Sequence, residues 1–404
     1  MTRHGDATDR AVLAAAAALA LAACVSLGLA RFSYALLLPP MRDDLGWSYA
    51  LAGGMNTANA FGYLAGALAT PALMRRFGTV RLLMAGAVLT SLFMAGSGFV
   101  SAAPALLLQR LLAGIASAWV FVAGGLMAAR LGEAGSARGG LLLGIYYGGT
   151  GFGIVLSALL VPQVLRAAAG LPHGWAWAWW ALALACAAGT ALLGWAARAM
   201  PVRPAAPAAA ALHAGSDGAM LRRFGWALAG YAMFGVGYIG YMTFVIALLR
   251  EQGAGTAFVT LYYALLGIAC IASSRLWAGL LERHRGGRPQ ALLNGLLGAA
   301  TLLPVLDASA PVALASGLLF GAVFLSVVAS TTALVRHNLP PAQWVQGISA
   351  FTVVFALGQI VGPTLTGWIS DGEGGLARGL VASAIVLWGG ALLAMRQRPL
   401  GMDA

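Results

Sequence analysis

The stretch "LGLARFSYALLLPPM", residues 27–41, sets one arginine, Arg31, inside an apolar run that begins near Ala11 and meets its next charge only at Arg42. A run of that length is long enough to cross a bilayer as a helix, which takes about 20 apolar residues. Its reading turns on the cation. Arg31 stands 12 residues before Asp43, about 18 Å at the 1.5 Å rise of an α-helix. That exceeds the reach of a side chain extending toward the interface. Ending the helix at Ala30 would leave residues 32–41, mostly apolar, in water. The run is therefore expected to continue as one helix with Arg31 inside the membrane. A charge at mid-bilayer costs about 2.5–3.5 kcal/mol on insertion scales, so it is expected to face a cavity or a partner.

The rest of the chain has the same character. Of 404 residues, 60% are hydrophobic and 9% charged, with mean hydropathy +0.84, where a soluble domain carries about 25% charged residues. This polarity is too low to cover a water-exposed globule. Reading between charge clusters and Pro/Gly breaks gives twelve spans: 12–41, 48–73, 80–100, 104–129, 139–162, 174–198, 224–249, 256–281, 289–307, 311–335, 345–370 and 376–395. The expected fold is an all-α membrane protein of twelve transmembrane helices in two six-helix bundles, 1–199 and 224–404, joined by a linker over 200–223 rich in alanine and proline. The N-terminal run is read as a retained first helix, being too long for a secretory signal.

All 24 basic residues are arginine. With both termini on one side, 17 of them collect on that side and four (Arg42, Arg166, Arg250, Arg378) on the other. By the positive-inside rule both termini and the linker are expected on the cytoplasmic side of the membrane. The remaining three, Arg31, Arg110 and Arg275, fall within spans, and all 12 acids fall in loops or toward helix ends. An interior with three cations and no carboxylate suits an anionic substrate. The net charge of +12 therefore does not point to nucleic acid. Cys24, Cys186 and Cys270 lie far apart in apolar runs and read as small buried hydrophobes. No metal-ligand spacing, nucleophile triad or interior carboxylate pair occurs, so neither an enzyme nor a resident metal or cofactor is expected.

The two halves repeat. "GLARFSYALLL" at 28–38 matches "GVGYIGYMTFV" at 235–245, which places Gly28 on Gly235, Arg31 on Tyr238, Tyr34 on Tyr241 and, further on, Gly46 on Gly253. In the fifth and eleventh spans, Gly144, Gly148, Gly149 and Gly153 match Gly358, Gly362, Pro363 and Gly367 at an offset seven residues larger. Small residues at this spacing let helices approach in lipid, so "GGTGFG" is a packing or bending element rather than a phosphate cradle. Parallel repeats imply one substrate path at midplane depth.

With these features in place, the chain resembles the major facilitator superfamily across nearly its whole length. "LLLQRLLAGIASAW" resembles that superfamily's helix-four motif, on Arg110 and Gly114, which implies a coupling or gating role. "RRFGTVR" resembles its loop 2–3 motif with Arg75 where an aspartate is usual. More narrowly, "GLARFSYALLLPPM", "GVGYI" and "GQIVGP" are similar to the YbfB/YjiJ family of bacterial carriers. Arg275 followed four residues later by Gly279 resembles the helix-eight pattern of monocarboxylate and oxalate-type carriers, without that pattern's proline, and implies a carboxylate-binding arginine.

The candidate substrate-binding set is Arg31, Tyr34, Asn56, Asn59, Tyr63, Tyr238, Tyr241, Arg275 and Gln359. Tyr34 is at i+3 from Arg31, and Asn56, Asn59 and Tyr63 follow one helical face. The coupling or gating set is Arg110, Gly114, Gly144, Gly148, Gly358, Gly362 and Pro363. Trp175, Trp177, Trp179 and Trp180 read as an interfacial anchor. The expected activity is secondary transport of a small organic anion, a carboxylate foremost, by a monomer, with protons or a counter-anion as co-substrate. No histidine or carboxylate lies mid-span, so coupled protons would ride on the substrate or use Asp43, Asp44 or Asp307. The alternative is proton-coupled efflux of neutral or lipophilic compounds, with Arg110 as the coupling residue.

Overall fold

In hydrocarbon every backbone N–H and C=O has to find its partner inside the segment that carries it, which leaves long apolar stretches no choice but the helix. The computed structural model describes residues 2–133, 139–199 and 222–400, and among these it holds twelve long helices. The first, α1, runs in three consecutive pieces, Thr2–Ala23, Cys24–Phe32 and Tyr34–Leu45, the middle one wound as a π-helix. There follow α2 (Tyr49–Phe77), α3 (Thr79–Ser97), α4 (Ala103–Glu133), α5 (Gly139–Ala167) and α6 (Trp175–Ala199). After residues 200–221 of the expected linker, which lie outside the described residues, come α7 (Gly225–Glu251), α8 (Thr256–Leu276, extended by Ala278–Arg283), α9 (Arg288–Leu306), α10 (Ala310–Asn338), α11 (Trp344–Ser370) and α12 (Gly375–Met395).

Eleven of these are apolar and long enough to cross a membrane. The twelfth, α2, has the length, 29 residues. The glycines, asparagines and threonines that lower its hydropathy are the ones that make its tightest contacts, described below.

The chain forms two compact units. Unit one comprises Met1–Ser33 and Gly62–Ala208, and unit two Tyr34–Phe61 and Ala209–Ala404. Thus α1 and α2 each contribute to both. Within unit one, α1 packs on α5, α4 and α6, while α3 packs on α4 and α6. Within unit two, α7 packs on α11 and α12, and α9 on α10 and α12. The pairs α1–α5, α1–α6, α3–α4 and α3–α6 thus recur as α7–α11, α7–α12, α9–α10 and α9–α12, as expected of a sequence repeat.

The repeat reaches the backbone. Gly46 and Gly253, matched in sequence, both take a left-handed conformation, φ +64° and +86°, just past the ends of α1 and α7. Glycine ends helices in this way because it bears no Cβ to clash.

The register of the α5/α11 match differs from the sequence expectation. An added Cβ on Gly28 of α1 would lie 2.5 Å from the Cα of Gly153, and one on Gly358 of α11 would lie 3.0 Å from the Cα of Gly235. Packing therefore equates Gly153 with Gly358, an offset of 205 that agrees with the 207 of α1 and α7 to within two residues, and the seven-residue drift disappears. Glycines recur so densely in "GIYYGGTGFG" that sequence alone lets the match slide. The glycines that seat α5 against α1 are Gly149, facing the Ala20 carbonyl, and Gly153, facing Cys24; Gly144 and Gly148 are only half-buried.

Replacing Gly149 by alanine would drive a methyl group into the Ala20 carbonyl. It is expected to cost about 1–3 kcal/mol, the usual range for overpacking, and to lower the thermal midpoint of the purified protein. Gly295→Ala in α9, where an added Cβ meets nothing within 4 Å, is expected to leave the midpoint unchanged or raise it, since alanine is the better helix former.

Candidate functional site

The site in unit one begins with the π segment Cys24–Phe32, all nine of whose residues are buried. A π-turn bonds N–H to the carbonyl five residues back, so a helix that switches between α and π leaves carbonyls without their usual partner. Two carbonyls at the end of this segment accept side-chain donors. The Ser33 hydroxyl bonds the Leu29 carbonyl. Arg110 of α4 donates from Nη1 to the Ala30 carbonyl at 2.8 Å. On the same helix pair the Ser26 hydroxyl donates to the Ser117 carbonyl at 2.8 Å, and Ser117 in turn to that of Gly114, a buried residue, at 3.0 Å. Arg110 is 1% exposed and its guanidinium carbon lies 5.6 Å from the ring of Trp179.

Arg31 is the next residue after the bonded carbonyl. It is 3% exposed, and its guanidinium carbon stands 5.7 Å from the centroid of Tyr63. Tyr63, half-buried, is the end of an aromatic series: Tyr63 to Phe121 at 6.4 Å, Phe121 to Tyr146 at 5.6 Å and to Tyr147 at 5.9 Å. The Tyr146 hydroxyl donates to the Phe121 carbonyl at 2.6 Å. Unit one thus sets a buried cation at the head of a set of rings, with an arginine and a serine fixing the backbone beneath it.

Sequence reasoning missed Phe121, Tyr146 and Tyr147. Tyr146 and Tyr147 lie within "GIYYGG" of the α5 glycine motif and Phe121 lies in α4, where aromatic residues carry no signal of their own. The tryptophans of α6 also divide. Trp175 and Trp179, four residues apart on one face, are buried, whereas Trp177 is 50% exposed. The cluster is therefore no simple interfacial anchor, because its inward half packs the core and Trp179 flanks Arg110.

The other candidates lie in unit two. The Tyr34 hydroxyl donates to the Ala52 carbonyl of α2 at 2.9 Å. Asn56 donates to the Thr243 hydroxyl of α7 at 2.8 Å. Asn59 and Gln359 are buried, 0% and 5% exposed.

Tyr238 is stacked among Phe234, Phe355 and Phe324 at 4.8, 5.6 and 6.2 Å. Tyr241 lies over Phe320 at 4.0 Å, and its hydroxyl bonds those of Tyr262 and Ser316. Gly358 and Gly362 seat α11 on α7, and the Pro363 carbonyl faces Gly53 of α2. Arg275 is exposed in the last turn of α8, just before the helix breaks at Trp277. Among the described residues no group of three or more His, Cys, Asp or Glu is arranged to hold a metal ion.

Comparison with known proteins follows this geometry. The family model described as "Uncharacterised MFS-type transporter YbfB" matches residues 23–395. No curated protein matches the chain. Among solved structures, the chain is similar to a bacterial homolog of the human lysosomal transporter Spinster in an inward-facing, unoccupied conformation, at 15% identity over 98% of this chain and 99% of that one, with TM-score 0.72. It is also similar to a variant of the nucleoside transporter NupG, at 13% identity over 94% and 98% of the two chains, with TM-score 0.68. These two likenesses are of fold.

Replacing Arg110 by methionine keeps much of the apolar bulk but leaves the Ala30 carbonyl without this donor. The expected cost is about 1–3 kcal/mol, that of a buried acceptor losing its bond, read as a lower thermal midpoint. Hydrogen exchange is expected to quicken across residues 24–34 and stay unchanged in α9.

Proposed function

The chain belongs to the YbfB-type family of major facilitator transporters, and we propose that within it this protein carries a small organic anion, foremost a carboxylate, by alternating access. The observation that carries the reading is Arg31, 3% exposed in the interior of α1. A buried guanidinium gains most from an anion, because its planar fork matches a carboxylate with two hydrogen bonds. Tyr63 and the rings behind it offer an apolar flank to the rest of such a molecule.

The asymmetry of the arginines supports placement in a bacterial cytoplasmic membrane with both termini inside. The absence of mid-span acids or histidines from the sequence supports exchange against a counter-anion, or protons carried on the substrate, over a carboxylate relay. Efflux of neutral or lipophilic compounds with Arg110 as coupling residue is less well supported, since Arg110 is committed to the Ala30 carbonyl.

Small carboxylates are expected to raise the thermal midpoint of the purified protein, and their methyl esters not. Arg31→Ala is expected to weaken that binding at least tenfold, about 1.4 kcal/mol or more, with Arg31→Lys retaining part of it. Unchanged carboxylate affinity in folded Arg31→Ala protein would overturn the proposal.

A further inference from the structure

The segment Tyr34–Phe61 belongs by sequence to the first six helices and by packing to unit two, and the bonds that hold it there have an unusual form. Asp371 stands at the C-cap of α11. Its Oδ1 accepts the backbone N–H of Tyr49 at 2.6 Å and its Oδ2 that of Ala50 at 2.9 Å. These are among the first N–H groups of α2, which no residue of their own helix can satisfy. Ser48, the local cap, reaches Leu51 instead, at 3.1 Å. A carboxylate from 322 residues away therefore caps the helix, favoured by charge-assisted bonds and by the positive end of the helix dipole.

Beside it the Tyr49 hydroxyl donates to Glu251 at the end of α7, and Arg42 lies over the Tyr49 ring at 3.8 Å while pairing with Asp43 at 3.3 Å. The other arginines of these loops are engaged locally: Arg250 donates to the Ala254 carbonyl and Arg378 to that of Glu373. Deeper along the same line the Thr57 hydroxyl donates to the Ile360 carbonyl at 2.7 Å and meets that of Thr364 at 2.8 Å. Gly53 and Gly367 let backbones meet, against Pro363 and Tyr49.

We infer that Asp371 is the latch of a gate. It fastens the start of α2 to α11 at this end of the helices and releases it when the carrier opens there. Every polar bond in the latch has a water-competent substitute: the N–H groups, the carboxylates and the threonine hydroxyls can all return to solvent. A contact built only to stabilise would be expected to use the interlocking side chains seen around Phe234 and Phe355. The function of the latch rests on the alternating-access reading given above, whereas its opening can be measured without any substrate.

The test places a reporter thiol on α7 by Ala247→Cys. Ala247 lies one turn beyond Thr243 and is 4% exposed. The protein is held in nanodiscs, where both faces of the bilayer are open to reagent, and labelled with a membrane-impermeant maleimide. The Ala247→Cys parent is expected to label slowly. Asp371→Asn in that background is expected to raise the labelling rate at least fivefold, and Asp371→Ala likewise. Glu373→Gln, an exposed acid two residues on, is expected to leave it unchanged. The pair Thr57→Val and Thr364→Val, which keeps Asp371, is expected to raise the rate about two- to threefold. Rates within twofold of the parent in a folded Asp371 variant overturn the latch, as does an equal rise in Glu373→Gln. If the Asp371 variants do not fold, an unchanged rate in the threonine pair overturns it. Such a result would leave the anion reading standing, and failure of carboxylates to bind would do the converse.

Discussion

A carbonyl in the middle of a bilayer has to be bonded, and two carbonyls of the π segment of α1 accept side-chain donors. Ser33 takes one from its own helix, and Arg110 takes the next from α4. An arginine in that role brings a charge as well as a donor, and the ring of Trp179 lies 5.6 Å from its guanidinium carbon. Contact between π faces and cations is favourable in a dry setting. On the other side of α1 the close approach of Gly28 and Gly153 leaves the wound segment no room to slide. Arg31, the residue after the bonded carbonyl, inherits a fixed position from these neighbours. If Arg31 is the binding group proposed above, this fixing lowers what it would lose on ordering when a ligand makes contact.

Unit two solves the same packing problem without a cation. Its α7 is an unbroken α-helix, Gly225–Glu251. At the position matched to Arg31 stands Tyr238, stacked between rings of α10 and α11. Stacked aromatics supply burial and fixed orientation together, so no arginine is needed to hold the backbone. The two units keep one neighbour pattern and one pair of glycine-ended helices, but they differ in chemistry at the repeat's centre.

The architecture was legible because membrane solvent leaves so few options. Length, hydropathy and arginine placement give twelve helices, and the match of Gly46 to Gly253 survives into backbone angles. What misled was repetition: glycine-dense α5 aligns with α11 in more than one register, and only the contact of Gly28 with Gly153 chooses between them. The site was legible at Arg31 and Arg110, whose charges stand out in an apolar run. The π winding between Cys24 and Phe32 left no trace in residue types, because it depends on what α4 and α5 offer to the carbonyls. Phe121 and Tyr147 went unmarked since aromatic residues are ordinary in such helices. Asp371 went unmarked because a loop acid carries no signal until its partner, an N–H 322 residues away, is known.

These features meet in α1. The helix passes from unit one to unit two between Ser33 and Tyr34, immediately after the π segment and two residues beyond Arg31. Upstream of that point its bonds run to α4 and α5; downstream, Tyr34 bonds Ala52 of α2, three residues beyond the first N–H that Asp371 caps. A ligand can move such an equilibrium only by binding one arrangement better than the other. An anion on Arg31 would do so if the seating of the π segment differed between the open and closed gate, because Arg31 has no position independent of that segment.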